Sequence, residues 1–152
     1  MNAELIYRSG PGVLSIRLSD GLVRGAAFTR SACLPELPDC ALRRRLDAYF
    51  QGQPVGFTDL IEPLGSTGFT TRAWQAIRQI PWGTTLSYAE LAAAAGSPGA
   101  SRAAGRACAA NRIAVLVPCH RVTPATGGVG GYAWGTDIKR SLLELEGALL
   151  SR

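Results

Sequence analysis

The stretch that decides the fold is LSYAELAAAAGSPGASRAAGRACAANRIAVLVPCHRV, residues 86–122. It predicts two short helices joined by a turn, then a buried apolar run, then a cysteine directly before the only histidine of the chain. Ser87 and Glu90 have the Ser-x-x-Glu spacing of a capping box, which begins the first helix, and Gly96 can end it. Two helices joined in this way resemble a helix-turn-helix.

The second of these helices is expected over residues 98–110, with Ser97 as its cap and Pro98 in its first turn. It consists mainly of alanine and glycine, yet it carries Arg102 and Arg106. Small residues let a helix approach its neighbour closely, and arginines contact phosphates or bases. The pattern therefore fits either DNA binding or close packing against another helix.

The cysteine at the end of the stretch lies in a favourable place for a nucleophile. Pro118 disfavours helical backbone at Val117, so the run IAVLV is expected to be extended and buried. Pro118 can then begin a new turn, which places Cys119 near unpaired backbone N–H groups that favour the thiolate. Arg121 adds positive charge nearby. Cys119 is therefore a candidate nucleophile.

His120 follows Cys119 directly, but neighbouring side chains on a turn point in different directions. It can instead act through a bridging water, or a third group can orient it. Glu146 is the candidate for that group, because it lies beside the apolar stripe of the last predicted helix, whereas Glu144 is expected to be exposed. That stripe comprises Ile138, Leu142, Leu145 and Leu149.

Composition indicates a globular protein, with 47% apolar and 18% charged residues among 152. The net charge of +5 lies in the second half, because residues 1–64 carry seven basic and seven acidic groups, while residues 65–152 carry nine and four. No acid occurs between Leu91 and Thr136. A stretch whose charged side chains are all positive suits binding to a polyanion such as nucleic acid, although a solvated basic face explains it equally well.

The first half predicts a small sheet with a helix. Residues 7–28 contain three β-rich runs separated by Gly-Pro-Gly and Ser-Asp-Gly turns, and residues 39–51 have helical spacing that Gly52 can end. Residues 53–68 are expected to form a last strand and a connector, and residues 69–80 a further helix. We therefore predict an α/β domain over residues 1–64 and a mainly helical domain over residues 65–152.

The four cysteines lack C-x-x-C spacing, and with one histidine they offer no recognisable metal site. We expect no disulfides, and we expect Cys33, Cys40 and Cys108 to be small buried apolar residues. The longest apolar run, IAVLV, is far too short to cross a bilayer. The N-terminal residues MNAELIYR lack the basic-then-apolar order of a signal peptide. A cytoplasmic location without membrane association is therefore the expectation.

Four segments together resemble one known family. PCHRV at 118–122, GGYAWG at 130–135 and KRSLLELEG at 139–147 follow IPWGTTLSYAELA at 80–92 at distances similar to those in the O6-alkylguanine-DNA alkyltransferases. These proteins are also called methylated-DNA–protein-cysteine methyltransferases. The resemblance covers residues 66–148, and the first 60 residues match only in general character.

The resemblance implies a chemical role for each residue of the motif. Cys119 would accept an alkyl group from O6 of guanine in one irreversible displacement, and His120 would take the thiol proton through a water. Glu146 would orient His120. Tyr88 would offer its hydroxyl to the N3 side of the flipped guanine, and Asn111 would brace the turn that carries the cysteine. No cofactor is implied.

The resemblance also implies how double-stranded DNA is bound. The helix at 98–110 would lie in the minor groove, which is only about 6 Å wide and excludes bulky side chains. Arg102 would fill the gap left by the flipped nucleotide, since O6 is not reachable inside a stacked duplex. The expected DNA-contacting residues are Ser87, Arg102, Ala103, Gly105, Arg106, Arg112 and Arg121. The expected pocket residues are Val122, Tyr132, Ala133 and Trp134.

The implied architecture is a ribonuclease H-like N-terminal sheet with a helix, packed on a helical domain that contains a helix-turn-helix, in a monomer. The sequence departs from the family pattern at three positions. Ala133 replaces a frequent serine, Ala114 a frequent proline, and Trp134 a frequent glycine. We expect Trp134 to narrow the pocket and to slow reaction with benzyl adducts relative to methyl adducts. The zinc ligands of some relatives are not recognisable in residues 1–60, which predicts no metal.

Two alternatives remain open at this point. A non-catalytic alkyltransferase-like protein would bind lesions without reaction, but those relatives replace the cysteine that is present here as Cys119. A cysteine hydrolase using Cys119, His120 and Glu146 would regenerate its thiol after each turnover, whereas an alkyltransferase would stop after one event.

Overall fold

A computed structural model of the chain describes residues 2–31, 33–63 and 68–148. The chain forms two compact units: one runs to Glu62 and includes Arg112–Leu116, and the other comprises Pro63–Asn111 and the chain from Val117 onward. The mixed α/β content confirms that part of the predicted fold class. The predicted domain boundary between residues 64 and 65, and the predicted burial of Leu149, lie outside the described residues.

The first unit contains an antiparallel sheet in the order β1-β2-β3, which confirms the three predicted strands. The strands are β1 (Asn2–Arg8), β2 (Val13–Ser19) and β3 (Leu22–Thr29). Asp20 and Gly21 both have positive φ, as a two-residue hairpin loop requires. Helix α1 spans Ala41–Phe50, and Gly52 follows it with φ +89°. The core of this unit includes Leu14, Ile16, Val23, Leu37 and Leu46, all fully buried.

Two expectations for the first unit are wrong. Within residues 53–63 there is no strand, because Thr58–Leu60 form a 3₁₀ turn and Ile61 makes only a single bridge to Val23. Cys33 is exposed, because it lies in the irregular segment between β3 and α1. Cys40 is half-buried, as is Cys108 in the second unit, and all four cysteines are free thiols.

The IAVLV run is buried as predicted from Ala114 onward, but it is not extended. Ile113 makes a single parallel bridge to Ala26, and the chain then turns. The N–H of Leu116 donates to the carbonyl of Ala114 at 2.8 Å, which closes a three-residue γ-turn around Val115 at φ +69°. A positive φ is rare for a β-branched residue, so sequence patterns did not indicate this turn.

The second unit consists mainly of helices. They are α2 (Phe69–Arg78), α3 (Tyr88–Ala94), α4 (Ser101–Ala109) and α5 (Thr136–Leu145). Two short strands, β4 (Leu86–Ser87) and β5 (Val122–Thr123), pair in parallel and bring the start of α3 beside the end of the cysteine turn. The capping box of Ser87 and Glu90 is present as predicted. None of the helices in the described ranges has the length and apolar character to cross a membrane.

Helix α4 begins three residues later than predicted, at Ser101. Gly99 has φ +88°, and the N–H of Ala100 donates to the carbonyl of Ser97 at 3.1 Å. Ser97 and Pro98 therefore belong to a separate turn and do not cap the helix. Ala104 and Ala107 are buried on the inner face of α4, and the longer arginine side chains point outward.

Helix α5 buries a different stripe from the one predicted. Its inner face carries Lys139, Leu142, Leu143 and Glu146, at spacings of three and four residues. Ile138 and Leu145 are only half-buried. Among the predicted stripe residues that the structure describes, full burial is therefore confirmed only for Leu142. Two charged side chains thus lie on the buried face, where apolar periodicity does not reveal them.

Candidate active site

Cys119 begins a 3₁₀ turn, Cys119–Arg121, as the proline before it predicts. Pro118 has φ −82° and ψ 60°, and the N–H of Cys119 donates to the carbonyl of Val117 at 2.8 Å. These values describe an inverse γ-turn, a conformation that the fixed φ of proline favours. All three residues of the 3₁₀ turn are buried, with Cys119 only 3% exposed.

Asn111 joins both sides of this turn. Its Nδ2 donates to the carbonyl of Val117 at 3.1 Å and to Sγ of Cys119 at 3.0 Å. The side chain is buried, and a buried N–H group without an acceptor would cost stability. These two contacts supply the acceptors that the Asn111 amide needs. The amide therefore fixes the sulfur relative to the backbone that carries it.

Glu146 is the centre of a buried charged cluster. Its Oε2 lies 2.7 Å from Nε2 of His120, and its two oxygens accept from the guanidinium of Arg121 at 2.7 and 3.1 Å. Arg121 also donates to the carbonyl of Ile80 at 2.7 Å. Arg121 is 7% exposed and held on both sides, so little of its side chain is open to DNA, and the expected DNA contact stays a prediction. In the structure it balances the charge of Glu146.

The protonation states follow from burial and from these contacts. Burial by itself would raise the pKa of Glu146, but its hydrogen bonds from His120 and Arg121 outweigh that effect and lower the pKa to about 2. Burial lowers the pKa of His120, and Glu146 opposes this only in part. A neutral imidazole therefore donates from Nε2 to an ionised carboxylate, which leaves Nδ1 as the nitrogen able to accept a proton.

The thiol itself is protonated at rest. Burial raises the pKa of Cys119 to about 11, and the hydrogen bond from Asn111 and the charge of Lys139 offset this only in part. The expectation that the start of the turn favours the thiolate is therefore wrong, because desolvation exceeds the effect of the nearby donors. A base must remove the proton when the sulfur reacts.

A pocket of about 330 Å³ opens over the sulfur. It is lined by Tyr88, Gly105, Cys108, Ala109, Cys119, Gly131, Tyr132 and Ala133. The hydroxyl of Tyr132 is buried and has no hydrogen-bond partner among the described residues. Burial raises the pKa of Tyr88, so its hydroxyl keeps its proton and can donate it. The pocket thus combines the thiols of Cys108 and Cys119 with two phenol side chains on mainly apolar walls.

A sequence model described as 6-O-methylguanine DNA methyltransferase, DNA binding domain, matches residues 68–148. A methylated-DNA–protein-cysteine methyltransferase of Methanosarcina acetivorans is 42% identical over 137 residues, which are 90% of this chain and 81% of that protein. The chain belongs to this methyltransferase family. The protein of the same name from Mycobacterium leprae is 49% identical over 102 residues, 67% of this chain and 61% of that protein.

Solved structures agree with this assignment to the methyltransferase family. The O6-methylguanine methyltransferase of Mycobacterium tuberculosis superposes with a TM-score of 0.84 at 35% identity, covering 97% of this chain and 93% of that one. The structure of the M. tuberculosis protein in complex with DNA gives a TM-score of 0.81 at 37% identity, with 95% and 92% coverage.

Not every pocket residue expected from the family resemblance lines the pocket. Of the four, Tyr132 and Ala133 do, and they lie beside Cys119, Tyr88 and Gly105, which were expected in other roles. Val122 is fully buried and does not line the pocket, and its carbonyl accepts from Nζ of Lys139. Trp134 packs edge-to-face on Tyr132, with ring centroids 5.1 Å apart, and does not line the cavity. Trp134 can affect adduct size through its contact with Tyr132.

The other residues expected to contact DNA are on the surface or half-buried. Arg102 and Arg106 are exposed one turn apart on α4, where Ala103 and Gly105 are half-buried. Arg112 is exposed in the first unit. Ser87 caps α3, with its hydroxyl accepting from the N–H of Glu90 at 3.1 Å. Their contacts with DNA stay predictions.

Sequence reasoning missed two residues of this methyltransferase site. Cys108 lines the pocket from α4, and burial raises the pKa of its thiol to about 12. Lys139 lies buried on α5 and binds two backbone carbonyls. Its helical spacing to Leu142 and Leu143 was the available signal, but a lysine beside apolar positions is usually interpreted as lying at the solvent-exposed border of the buried face. In the part of the chain that the structure describes, no three potential ligands converge on a metal site.

Proposed function

We propose that this protein repairs DNA by moving the alkyl group of O6-alkylguanine onto Sγ of Cys119, once per molecule. The observation that carries the proposal is a buried thiol at the base of a 330 Å³ pocket, held by Asn111 and backed by the His120–Glu146 pair. Membership of the methyltransferase family supports the same reaction.

The first step is removal of the thiol proton. Because the pKa of Cys119 is raised to about 11, little thiolate exists at neutral pH. His120 would take the proton at Nδ1 through a water, since its Nε2 is engaged by Glu146. The carboxylate then stabilises the imidazolium, as the third group of a catalytic triad does.

The second step is displacement at the alkyl carbon. A bond forms between Sγ of Cys119 and that carbon while the carbon–O6 bond breaks, and the bonding electrons remain on the guanine. Tyr88 would donate its hydroxyl proton toward N3 of the base and neutralise this charge. The raised pKa of Tyr88 suits a donor that must remain protonated until the base leaves.

The product accounts for single turnover. A thioether sulfur is a poor leaving group, and water does not regenerate the thiol as it does from a thioester. A hydrolase would need an acyl intermediate and a second attack, and no specific feature of the site favours that alternative. Each molecule would thus repair one lesion.

DNA would be engaged through α3 and α4, which we assign as a helix-turn-helix. Helix α4 would enter the minor groove, where its alanine and glycine residues avoid steric exclusion, and Arg102 would fill the space left by the flipped base. Minor-groove readout is degenerate, so repair would not depend on the surrounding sequence.

Several finer assignments rest on the family. The first unit would correspond to the ribonuclease H-like N-terminal domain, and residues 65–152 would form the DNA-binding and alkyl-acceptor domain. The protein would act in the cytoplasm as a monomer without a cofactor.

The experiment is a titration of a duplex containing one O6-methylguanine with increasing protein, followed by quantification of the remaining modified base. The proposal predicts a linear loss that ends at one lesion per protein molecule. Cys119→Ser should bind the duplex and remove none. Loss of many lesions per molecule would indicate a hydrolase, and tight binding without loss would indicate a lesion-binding protein.

A further inference from the structure

Cys108 brings a second thiol to the pocket over Cys119. It lies on α4 together with Gly105 and Ala109, at spacings of three and four residues that place all three on the helix face toward the cavity. Its thiol is free and half-buried. The reacting cysteine therefore shares its cavity with another nucleophile of the same type.

Asn111 connects the two segments that carry these thiols. Its backbone N–H donates to the carbonyl of Cys108 at 3.2 Å, at the end of α4. Its side-chain amide donates to Sγ of Cys119 at 3.0 Å. The sulfurs are close enough for a negative charge on Cys119 to raise the pKa of the Cys108 thiol. The two thiols are thus held near each other by one residue.

The two thiols differ in reactivity. The thiol of Cys119 is backed by the pair of His120 and Glu146, which can remove its proton. Burial raises the pKa of the Cys108 thiol to about 12, so this thiol stays protonated and does not compete for the first alkyl group. Cys108 therefore reacts only with a strong electrophile that is held beside it. Such an electrophile forms when the alkyl group on the neighbouring sulfur carries a leaving group.

We propose that Cys108 is a second acceptor, which closes a thioether bridge to Cys119 when the transferred alkyl group carries a leaving group on its second carbon, as a 2-chloroethyl group does. This inference rests on the proposed function for the first transfer. It adds a substrate class, the bifunctional O6-(2-haloethyl)guanines, and gives the second thiol of the pocket a chemical role.

The bridge forms in two steps after the first transfer. The thioether sulfur of Cys119 displaces the halide, which leaves with its bonding electrons, and a three-membered cyclic sulfonium results. Sγ of Cys108 then attacks one ring carbon while its proton passes to water, and the opened carbon–sulfur bond returns its electrons to Cys119. The product is an ethylene group between two thioether sulfurs, with a halide ion and a proton released. No oxidant or reductant is needed.

The position of Cys108 favours this outcome over reaction with DNA. The positive sulfonium lowers the pKa of a thiol beside it, so Cys108 gains reactivity when the electrophile appears. Groups held together in one pocket also react as if at very high concentration. Without Cys108, the sulfonium would be attacked by water or by a nucleophile of the bound DNA. The second thiol would therefore prevent a covalent link between protein and DNA.

The first experiment needs no DNA and uses 1,2-dibromoethane, which carries a leaving group on each of two adjacent carbons. The reaction is run in a Cys33→Ala background, which removes the exposed thiol, until Cys119 is fully modified. Peptide mapping should then show an ethylene bridge between Cys108 and Cys119 without bromine. Cys108→Ala should instead carry a bromoethyl or hydroxyethyl group on Cys119. Cys40→Ala, which removes a half-buried thiol of the first unit, should still form the bridge.

The second experiment uses a duplex with a freshly prepared O6-(2-chloroethyl)guanine. Protein–DNA complexes that survive denaturation are counted per chloroethyl group transferred, so that a change in the transfer rate does not enter the result. We expect Cys108→Ala and Cys108→Ser to raise the cross-linked fraction roughly tenfold, because the neighbouring thiol no longer captures the sulfonium. Cys40→Ala should stay near the wild-type fraction.

Two results would overturn the inference: a haloethyl or hydroxyethyl group on Cys119 without a bridge in the presence of Cys108, or equal cross-linking with and without Cys108. Both differ from failure of the proposed function. If the wild-type protein took no alkyl group from DNA, the proposed function would fail, while the reaction with 1,2-dibromoethane would still show whether the two thiols can be bridged.

Discussion

Asn111 and Cys119 are joined by a hydrogen bond of 3.0 Å between Nδ2 and Sγ. The same amide nitrogen holds the carbonyl of Val117, on the other side of Pro118. The position of the sulfur therefore depends on an amide that also sets the backbone turn. Any group added to the sulfur enters this contact directly.

We expect methylation of Cys119 to destabilise the protein. Cys119 is 3% exposed and its Sγ accepts from Asn111 at 3.0 Å, so a methyl group on Sγ crowds this contact even though the pocket lies over the sulfur. Adding one carbon to a packed site costs about 1–3 kcal/mol. Thermal melts of methylated and free protein should differ by several degrees, whereas Cys119→Ser treated with the same DNA should not change. Equal melting temperatures for the methylated and free forms would refute this.

Replacing Asn111 should affect both stability and reaction. Asn111→Leu keeps the volume but removes one of the two donors to the buried Val117 carbonyl, which costs about 0.5–1.5 kcal/mol. Transfer should slow because the sulfur loses its fixed position. Urea unfolding and single-turnover rates measure the two effects. A variant with wild-type values for both would show that the amide does not hold the turn.

The stability of the protein should fall in two steps as the pH is lowered. Unfolded His120 takes up a proton near pH 6.5, but the folded residue does so only at lower pH, so stability is lost below 6.5. The pKa of Glu146 is about 2 in the folded protein against a usual value of 4.5. A second loss of folding stability is therefore expected as the pH falls from 4.5 toward 2.

Urea unfolding measured from pH 8 to pH 3 tests these steps. His120→Gln keeps a donor for Glu146 but does not titrate, so it should lose only the step below pH 6.5. The account is contradicted if the wild-type free energy of unfolding stays constant between pH 7 and 5.

Local signals predicted local features of this fold well. The capping box of Ser87 and Glu90 and the terminating Gly52 depend on residues within one turn of each other, and both are present. Cys119 and His120 were identified because PCHR is a specific motif. Periodicity identified α5 but not its inner face, because the charges of Lys139 and Glu146 conceal the buried stripe.

The features that failed depend on contacts distant in sequence or on rare backbone. Val115 adopts a positive φ, so the extended run predicted from Pro118 became a turn. Gly99, with φ +88°, separates Ser97 from the helix that it was expected to cap. The prediction of a thiolate at Cys119 did not include the cost of desolvation. That cost depends on how deeply the whole fold buries the sulfur, which the local sequence does not show.

Gly130 should be irreplaceable in the pocket loop. It has φ +76°, and a Cβ there would lie 2.7 Å from Cδ of Pro124. The adjacent Gly131 has ordinary φ and nothing within 4 Å of such an atom, so it is a matched control. We expect Gly130→Ala to lose about 1–3 kcal/mol of folding stability and Gly131→Ala much less. Equal unfolding midpoints for the two variants would contradict this.

The protein should react more slowly with O6-benzylguanine than with O6-methylguanine. Trp134 does not line the pocket, but its edge-to-face contact restrains the ring of Tyr132, which does. Trp134→Gly removes this restraint, so the benzyl rate should rise several-fold relative to the methyl rate. Competition between the two adducts measures the ratio, and equal rates in the wild-type protein would remove the basis for this prediction.

The central claim is that Cys119 permanently accepts the alkyl group. The most direct measurement is intact-mass spectrometry after equimolar mixing with a duplex containing one O6-methylguanine, followed by peptide mapping. The account predicts a gain of one methyl group per molecule, located on Cys119 and absent in Cys119→Ser. An unchanged mass despite tight binding, or a methyl group on Cys108 or Cys33, would contradict it.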